Sequence, residues 1–212
     1  MSGIWQRIGA VAVWSVFALV VGVAALSVWA VAPYSMDPHH SARTAKYLAK
    51  APFADRIVIG DSRIQYLGER PEALMMGYSS GQTWQIVRIA KLACLASDAP
   101  VSIALGVNDA KHADPATSRQ KLAIAEIVEA CGDRPTYIAE VWPAELGVEP
   151  AGGDYDPQLV AVIDRQARQA AARFDNVEML PVPPLPDNWT VDGVHFTPEV
   201  DELYVQALTQ PL

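Results

Sequence analysis

The chain has 212 residues, of which 51% are apolar and 19% charged, so it can bury the core of one domain and is not disordered. Its net charge is −8 with an isoelectric point near 4.9, and it holds no Lys/Arg cluster, which disfavours nucleic-acid binding and a polybasic lipid-binding patch. The apolar residues are unevenly spread, with no charge between Arg7 and Asp37.

Residues 8 to 32 are almost entirely apolar. As a helix they extend roughly 37 Å at about 1.5 Å per residue, enough to cross a hydrocarbon core of about 30 Å. Trp5 and Trp29 lie near the two ends, where amphipathic rings favour the interface. Ala30-Val31-Ala32 has the form of a signal-peptide cleavage site. The run is nevertheless longer than a usual signal core of about 7–15 residues, and Pro33 would follow the cut. Residues 1–32 therefore read as a membrane anchor or signal-anchor helix. Arg7 favours a cytoplasmic N-terminus, whereas Arg43, Lys46 and Lys50 pull the other way, so charge alone does not fix the side. Residues 33–54, with Pro33, Pro38 and Pro52, read as a stalk containing one helical stretch from Ser41 to Lys50.

A folded domain is expected over residues 55–212. Arg56 to Ile59 is a β-branched run closed by Gly60, and Ala73 to Met76 is a weaker strand. Residues 82 to 97 carry apolar side chains at helical spacing, and Val101 to Leu105 is a third strand. A helix from Thr117 to Ala130, a strand from Pro135 to Val141, a helix from Pro157 to Phe174 and a strand from Val177 to Leu180 follow. Thr197 caps a last helix reaching Leu208, with Pro198 at its first position. Five strands alternating with helices predict a parallel sheet covered on both faces. Ligands of such sheets bind beyond the carboxyl ends of the strands. No internal repeat or low-complexity tract is present.

Polar residues collect at that edge. Gly60-Asp61-Ser62-Arg63 follows the first strand directly and puts Ser62 at a strand-to-helix turn. A serine hydroxyl needs a neighbouring base to become a nucleophile. One is offered downstream in Asp192-Gly193-Val194-His195, just before the last helix. Asp192 precedes His195 by three residues, a spacing that lets a turn aim its carboxylate at the imidazole and fix its tautomer. Acyl transfer also needs donors for an oxyanion. Two loops at the same edge can supply them, Gly77 to Thr83 after the second strand and Gly106-Val107-Asn108-Asp109 after the third.

These four segments, GDSR, SSGQT, GVND and DGVH, resemble in order and spacing the blocks of the SGNH (GDSL-type) hydrolase family. The resemblance covers nearly all of residues 56 to 212. It implies a flavodoxin-like three-layer α/β/α sandwich with a five-stranded parallel sheet, and no cofactor or metal. It also implies Ser62 as nucleophile, Asp192 and His195 as the rest of a triad, and an oxyanion hole from the N–H groups of Ser62 and Gly81 with the Asn108 amide. Two positions depart from the family pattern. Arg63 stands where Leu is usual, and is expected to put positive charge near the mouth of the site; Met76-Gly77 stands where an Asn is common.

The resemblance implies a serine esterase or O-acyltransferase working through an acyl-serine, on an acylated glycan of the cell surface or on a lipid. A lipid-active esterase and a non-catalytic envelope scaffold are the alternatives; other envelope or polysaccharide-biosynthesis proteins are conceivable partners. The expected address is a single-pass membrane protein with its domain outside the cytoplasm. With His195 committed to the triad, no His/Asp/Glu cluster with metal spacing remains. His39, His40 and His112 read as solvated loop histidines. Trp189, Trp142 and Tyr78 read either as core or as stacking platforms beside the site, and Asn188-Trp189-Thr190 fits a glycosylation sequon. Cys94 and Cys131 are either two buried thiols or, given right-handed crossovers that set their helices side by side, a disulfide.

Overall fold

The structure is a computed structural model and describes residues 2–111, 117–150, 152 and 155–210. His112 lies outside the described residues. Five short strands form the sheet: β1 (Ile57–Gly60), β2 (Leu74–Gly77), β3 (Val101–Ala104), β4 (Thr136–Ala139) and β5 (Val177–Leu180). All pairings are parallel, in the order β2-β1-β3-β4-β5. This is the flavodoxin-like sheet expected. Each strand lies within a residue or two of its predicted run, because β-branched and apolar residues there can be buried on both faces.

Alternation along the strands divides the core into two layers. Ile57, Ile59, Met76, Val101, Ile103 and Ile138 join one cluster with α4 (Thr83–Ala96) and α6 (Thr117–Cys131). Val58, Met75, Ala104, Ala139 and Leu180 join the other with α3 (Ser62–Leu67) and α8 (Pro198–Thr209). A further helix, α7 (Pro157–Ala171), adds Ala167, Ala170 and Ala171 to the first layer. Asp156 caps α7 by accepting the Gln158 N–H, with Pro157 in its first turn. The helix expected after the Ser62 turn is the short α3; α5 (Val107–Lys111), five residues beyond a strand end, was not predicted because it is too short to show a period. Cys94 and Cys131, near the C-terminal ends of packed α4 and α6, form a disulfide with a Cα separation of 4.8 Å. Of the two readings of these cysteines, the disulfide is the one adopted.

The N-terminal helix α1 (Ser2–Val31) is long and apolar enough to cross a membrane. From residue 11 to residue 26 its side chains are exposed, apart from half-buried Val23, whereas Ser27, Ala30 and Val31 are buried against the domain.

Residues 33–54, read as a stalk with one helical stretch, carry a helix that packs on the domain. Helix α2 (Pro38–Lys50) begins three residues earlier than predicted, because Asp37 accepts the His39 N–H and Pro38 occupies the first turn. Thr44 and Ala51 are fully buried, and Tyr34, Tyr47 and Leu48 pack on the first core layer. His40, expected in solvent, lies half-buried against the Tyr34 ring.

Candidate active site

The strand order reverses at β1, which has β2 on one side and β3 on the other. Chain leaving the sheet there diverges and opens a crevice. Three of the four motif segments leave from β1, β2 and β3. The fourth, Asp192 to His195, is folded back by an antiparallel bridge between Thr190 and Phe196, with the Val191 N–H donating to the His195 carbonyl at 2.8 Å. At Gly193, φ is +92° and a Cβ would meet the Gly152 N at 2.3 Å, so no other residue fits that turn.

The structure brings Ser62, His195 and Asp192 together. His195 Nε2 lies 3.0 Å from Ser62 Oγ, and His195 Nδ1 lies 2.6 Å from Asp192 Oδ2. The other carboxylate oxygen of Asp192 accepts the N–H groups of Val194 at 2.9 Å and His195 at 2.8 Å. Partial burial pushes the Asp192 pKa up, but the donors from His195 and Val194 outweigh it and hold the carboxyl below its usual range. An ionised Asp192 favours the tautomer with its proton on Nδ1, leaving Nε2 to accept from the serine hydroxyl. Ser62 itself is only 5% exposed, at the first position of α3, where its N–H has no partner within the helix.

Arg63 is not at the mouth of the site. It is 3% exposed and points inward. Its Nε donates to the Val194 carbonyl at 2.8 Å, and its two terminal nitrogens donate to the carbonyls of Trp142 and Pro143. The guanidinium also lies 4.4 Å from the centroid of the Phe196 ring. Val194 and Phe196 flank His195, so one side chain beside Ser62 holds the His195 loop on both sides. Burial lowers the Arg63 pKa and raises that of Asp61, each countered by the charge of the other. A second brace comes from Glu145, whose carboxylate accepts the N–H and hydroxyl of Thr190 at 2.8 and 2.7 Å.

The expected oxyanion donors are partly engaged. Gly81 and Asn108 are neighbours: the Asn108 amide donates to the Gly81 carbonyl at 3.3 Å, and one N–H remains on that amide. The Gly81 N–H, expected to face an oxyanion, donates instead to the Tyr78 carbonyl at 2.9 Å, because residues 78 to 81 close a tight turn. Below them, Asp109 accepts the Thr83 N–H at 3.1 Å and its hydroxyl at 2.9 Å, tying the start of α4 to α5. Burial pushes the Asp109 pKa up to about 6 against the pull of those Thr83 donors. On the opposite side, α3 presses on the end of β2, where a Cβ on Gly77 would lie 2.1 Å from the Gln65 N. Only glycine permits that approach.

The aromatic residues divide clearly. Trp142 and Tyr78 are buried at 2% and 0% exposure, and half-buried Trp189 stacks near Phe196, so all three pack into the fold. The aromatic residue facing solvent at the site is Tyr66, 61% exposed, its ring centroid 4.7 Å from that of His195. Its signal in the sequence is its spacing: four residues after Ser62, it shares that residue's face of α3.

No family model and no curated protein sequence matches the chain. Solved structures do. A Streptococcus pneumonia protein described as a platelet activating factor aligns with a TM-score of 0.66 at 17% identity, over 79% of this chain and 89% of that one. An assigned acylhydrolase from Bacteroides fragilis aligns with a TM-score of 0.59 at 18% identity, over 79% and 94%. A lipase/acylhydrolase from Enterococcus faecalis gives a TM-score of 0.59 at 18% identity, over 73% and 93%. The chain is thus built on the fold of the SGNH, or GDSL-type, lipases and acylhydrolases.

Proposed function

We propose that the protein is a membrane-anchored serine esterase that works through an acyl-Ser62 intermediate. The observation that carries this reading is the unbroken chain of hydrogen bonds from Ser62 Oγ through His195 to Asp192. In the first half-reaction Ser62 Oγ attacks the ester carbonyl while His195 Nε2 takes its proton. The Nδ1–H stays on the ring, bonded to ionised Asp192, which stabilises the imidazolium. His195 then protonates the departing alcohol. In the second half it takes a proton from water, or from an acceptor hydroxyl, which attacks the acyl-serine; His195 then returns that proton to Ser62 Oγ as the acyl–oxygen bond breaks and the product acid or new ester leaves.

The Ser62 N–H and the free N–H of the Asn108 amide are the donors suited to the tetrahedral oxyanion. One such donor is worth about 3–4 kcal/mol in the transition state. Gly81 contributes a third once its N–H is shared between the Tyr78 carbonyl and the oxyanion.

The substrate we favour is a short acyl group, such as acetyl, on a cell-surface polysaccharide. The His195 and Asp192 side chains, 26% and 28% exposed, lie beside the exposed Tyr66 ring, a surface suited to a sugar face. The apolar surface of α1 from Val11 to Leu26 suits lipid rather than water, and the Cys94–Cys131 disulfide suits an oxidising compartment outside the cytoplasm. Hydrolysis and transfer use the same groups and differ only in what reaches the acyl-enzyme.

Incubation of the full chain in detergent with acetylated polysaccharide, followed by mass spectrometry of released or transferred acyl groups, tests the proposal. Acetate release or transfer that depends on Ser62 is expected. Inertness toward glycan esters with activity on long-chain lipid esters would replace the substrate; inertness toward both would end the esterase reading.

A further inference from the structure

The turn that carries Gly81 is held from outside the motif segments. Residues 78 to 81 close through the Gly81 N–H to the Tyr78 carbonyl, and of the two central residues only Ser80 has a positive φ, +57°. A turn with φ positive at its second central position alone is type II, a geometry that favours glycine there. Ser80 is not glycine, so the turn needs support. Types I and II differ by a flip of the central peptide, here the bond between Ser79 and Ser80. Both sides of Ser79 are held. Its N–H donates to Gln65 on the nucleophile's helix at 2.9 Å, and its carbonyl accepts the Tyr34 hydroxyl at 2.6 Å. Tyr34 lies three residues beyond the last residue of α1.

The same segment encloses Tyr78, the first residue of the turn. The Thr44 hydroxyl lies 3.0 Å from the Tyr78 hydroxyl, and the Tyr34 ring meets the Tyr78 ring edge-on at 5.5 Å. Tyr47 and the Arg43 guanidinium close the nest, 6.1 and 5.5 Å from the same ring.

We propose that Tyr34 is a positioning residue for the oxyanion side of the active site: its hydroxyl fixes the Ser79–Ser80 peptide in the type II orientation and so sets the place of Gly81. The proposal rests on the esterase reading of Ser62, His195 and Asp192. The membrane helix and the catalytic loop then form one mechanical unit, and the juxtamembrane segment is part of the site's scaffold.

The test uses the full chain in detergent, with p-nitrophenyl acetate as probe. Tyr34→Phe keeps the ring contacts and removes only the hydroxyl. It should lower kcat about tenfold, leave KM within about twofold, and leave the unfolding temperature close to wild type. Ser80→Gly, which adopts φ near +57° without strain, should restore most of the lost kcat when added to Tyr34→Phe. A role limited to docking α1 would not be rescued by a change at Ser80. An unchanged kcat in Tyr34→Phe, or a loss that Ser80→Gly leaves untouched, overturns the proposal while the esterase reading stands. A wild-type chain with neither turnover nor fluorophosphonate labelling of Ser62 overturns both.

Discussion

The two sides of the site are built differently. On the Ser62–His195 side, both residues are locked by buried groups of the domain itself: Arg63 bonds to Val194 and stacks on Phe196, while Asp192 binds both the ring and the backbone of His195. On the side of the proposed oxyanion donors, Gly81 and Asn108 sit on loops whose supports come from further away. Asp109 ties the start of α4, and the Tyr78–Gly81 turn leans on Tyr34 and Thr44 of the segment that follows α1. On the proposed esterase reading, proton transfer depends on the interior of the sandwich, and charge stabilisation on how the residues that follow α1 are seated. Changes on one side should stop chemistry or unfold the domain; changes on the other should grade the rate.

The sharpest break is at the nucleophile. Ser62→Ala should lower turnover by about 10⁴-fold or more, with the fold intact because the hydroxyl's partner in the site is the partly solvated His195. Near-wild-type turnover in that variant would contradict the whole assignment. Next is the clamp. Arg63→Met leaves the carbonyls of Val194, Trp142 and Pro143 without their donor in a buried place, and should destabilise the domain by about 3–5 kcal/mol. Urea unfolding would measure it; a midpoint equal to wild type would show that Arg63 is dispensable.

The disulfide comes third. Its two cysteines are 37 residues apart, and replacing both by Ala should cost about 2–4 kcal/mol while leaving kcat nearly unchanged, since both lie far along α4 and α6 from the triad. A large fall in kcat of the folded variant would show that the α4–α6 layer reaches the site. The last effect is electrostatic and belongs to the side of the proposed oxyanion donors. The folded pKa of Asp109 is about 6, above its unfolded value near 3.8, so between those values the native state holds more protons than the unfolded chain. Its contribution to stability is therefore greatest below pH ~4 and is lost as pH rises through about 6. Asp109→Asn should flatten stability against pH in that window; an unaltered profile would place the dependence on other groups.

Much of the first side was legible in the sequence. GDSR and DGVH follow or precede regular elements, and local rules place them: a β-branched run ending in Gly60, and Thr197-Pro198 opening α8. What holds them was not. Arg63 reads as a surface charge, and is buried only because carbonyls from residues 142, 143 and 194 converge on it after folding. The second side was legible in its loops but not in their geometry. SSGQT marks Gly81, yet the turn that engages the Gly81 N–H depends on a positive φ at Ser80, a residue with no strong bias toward it. How residues 33–54 seat on the domain was illegible for a related reason. Asp37-Pro38 announces a helix start, but nothing local reveals that Thr44 will meet Tyr78 across 34 residues of chain.

The central claim is that Ser62 is a nucleophile activated by His195. Treating the full chain with a fluorophosphonate and mapping the adduct by peptide mass spectrometry tests it most directly. The account predicts one adduct, on Ser62, absent in Ser62→Ala and strongly slowed in His195→Ala. No adduct on a folded, disulfide-bonded chain, or an adduct at another serine with Ser62 untouched, would contradict it.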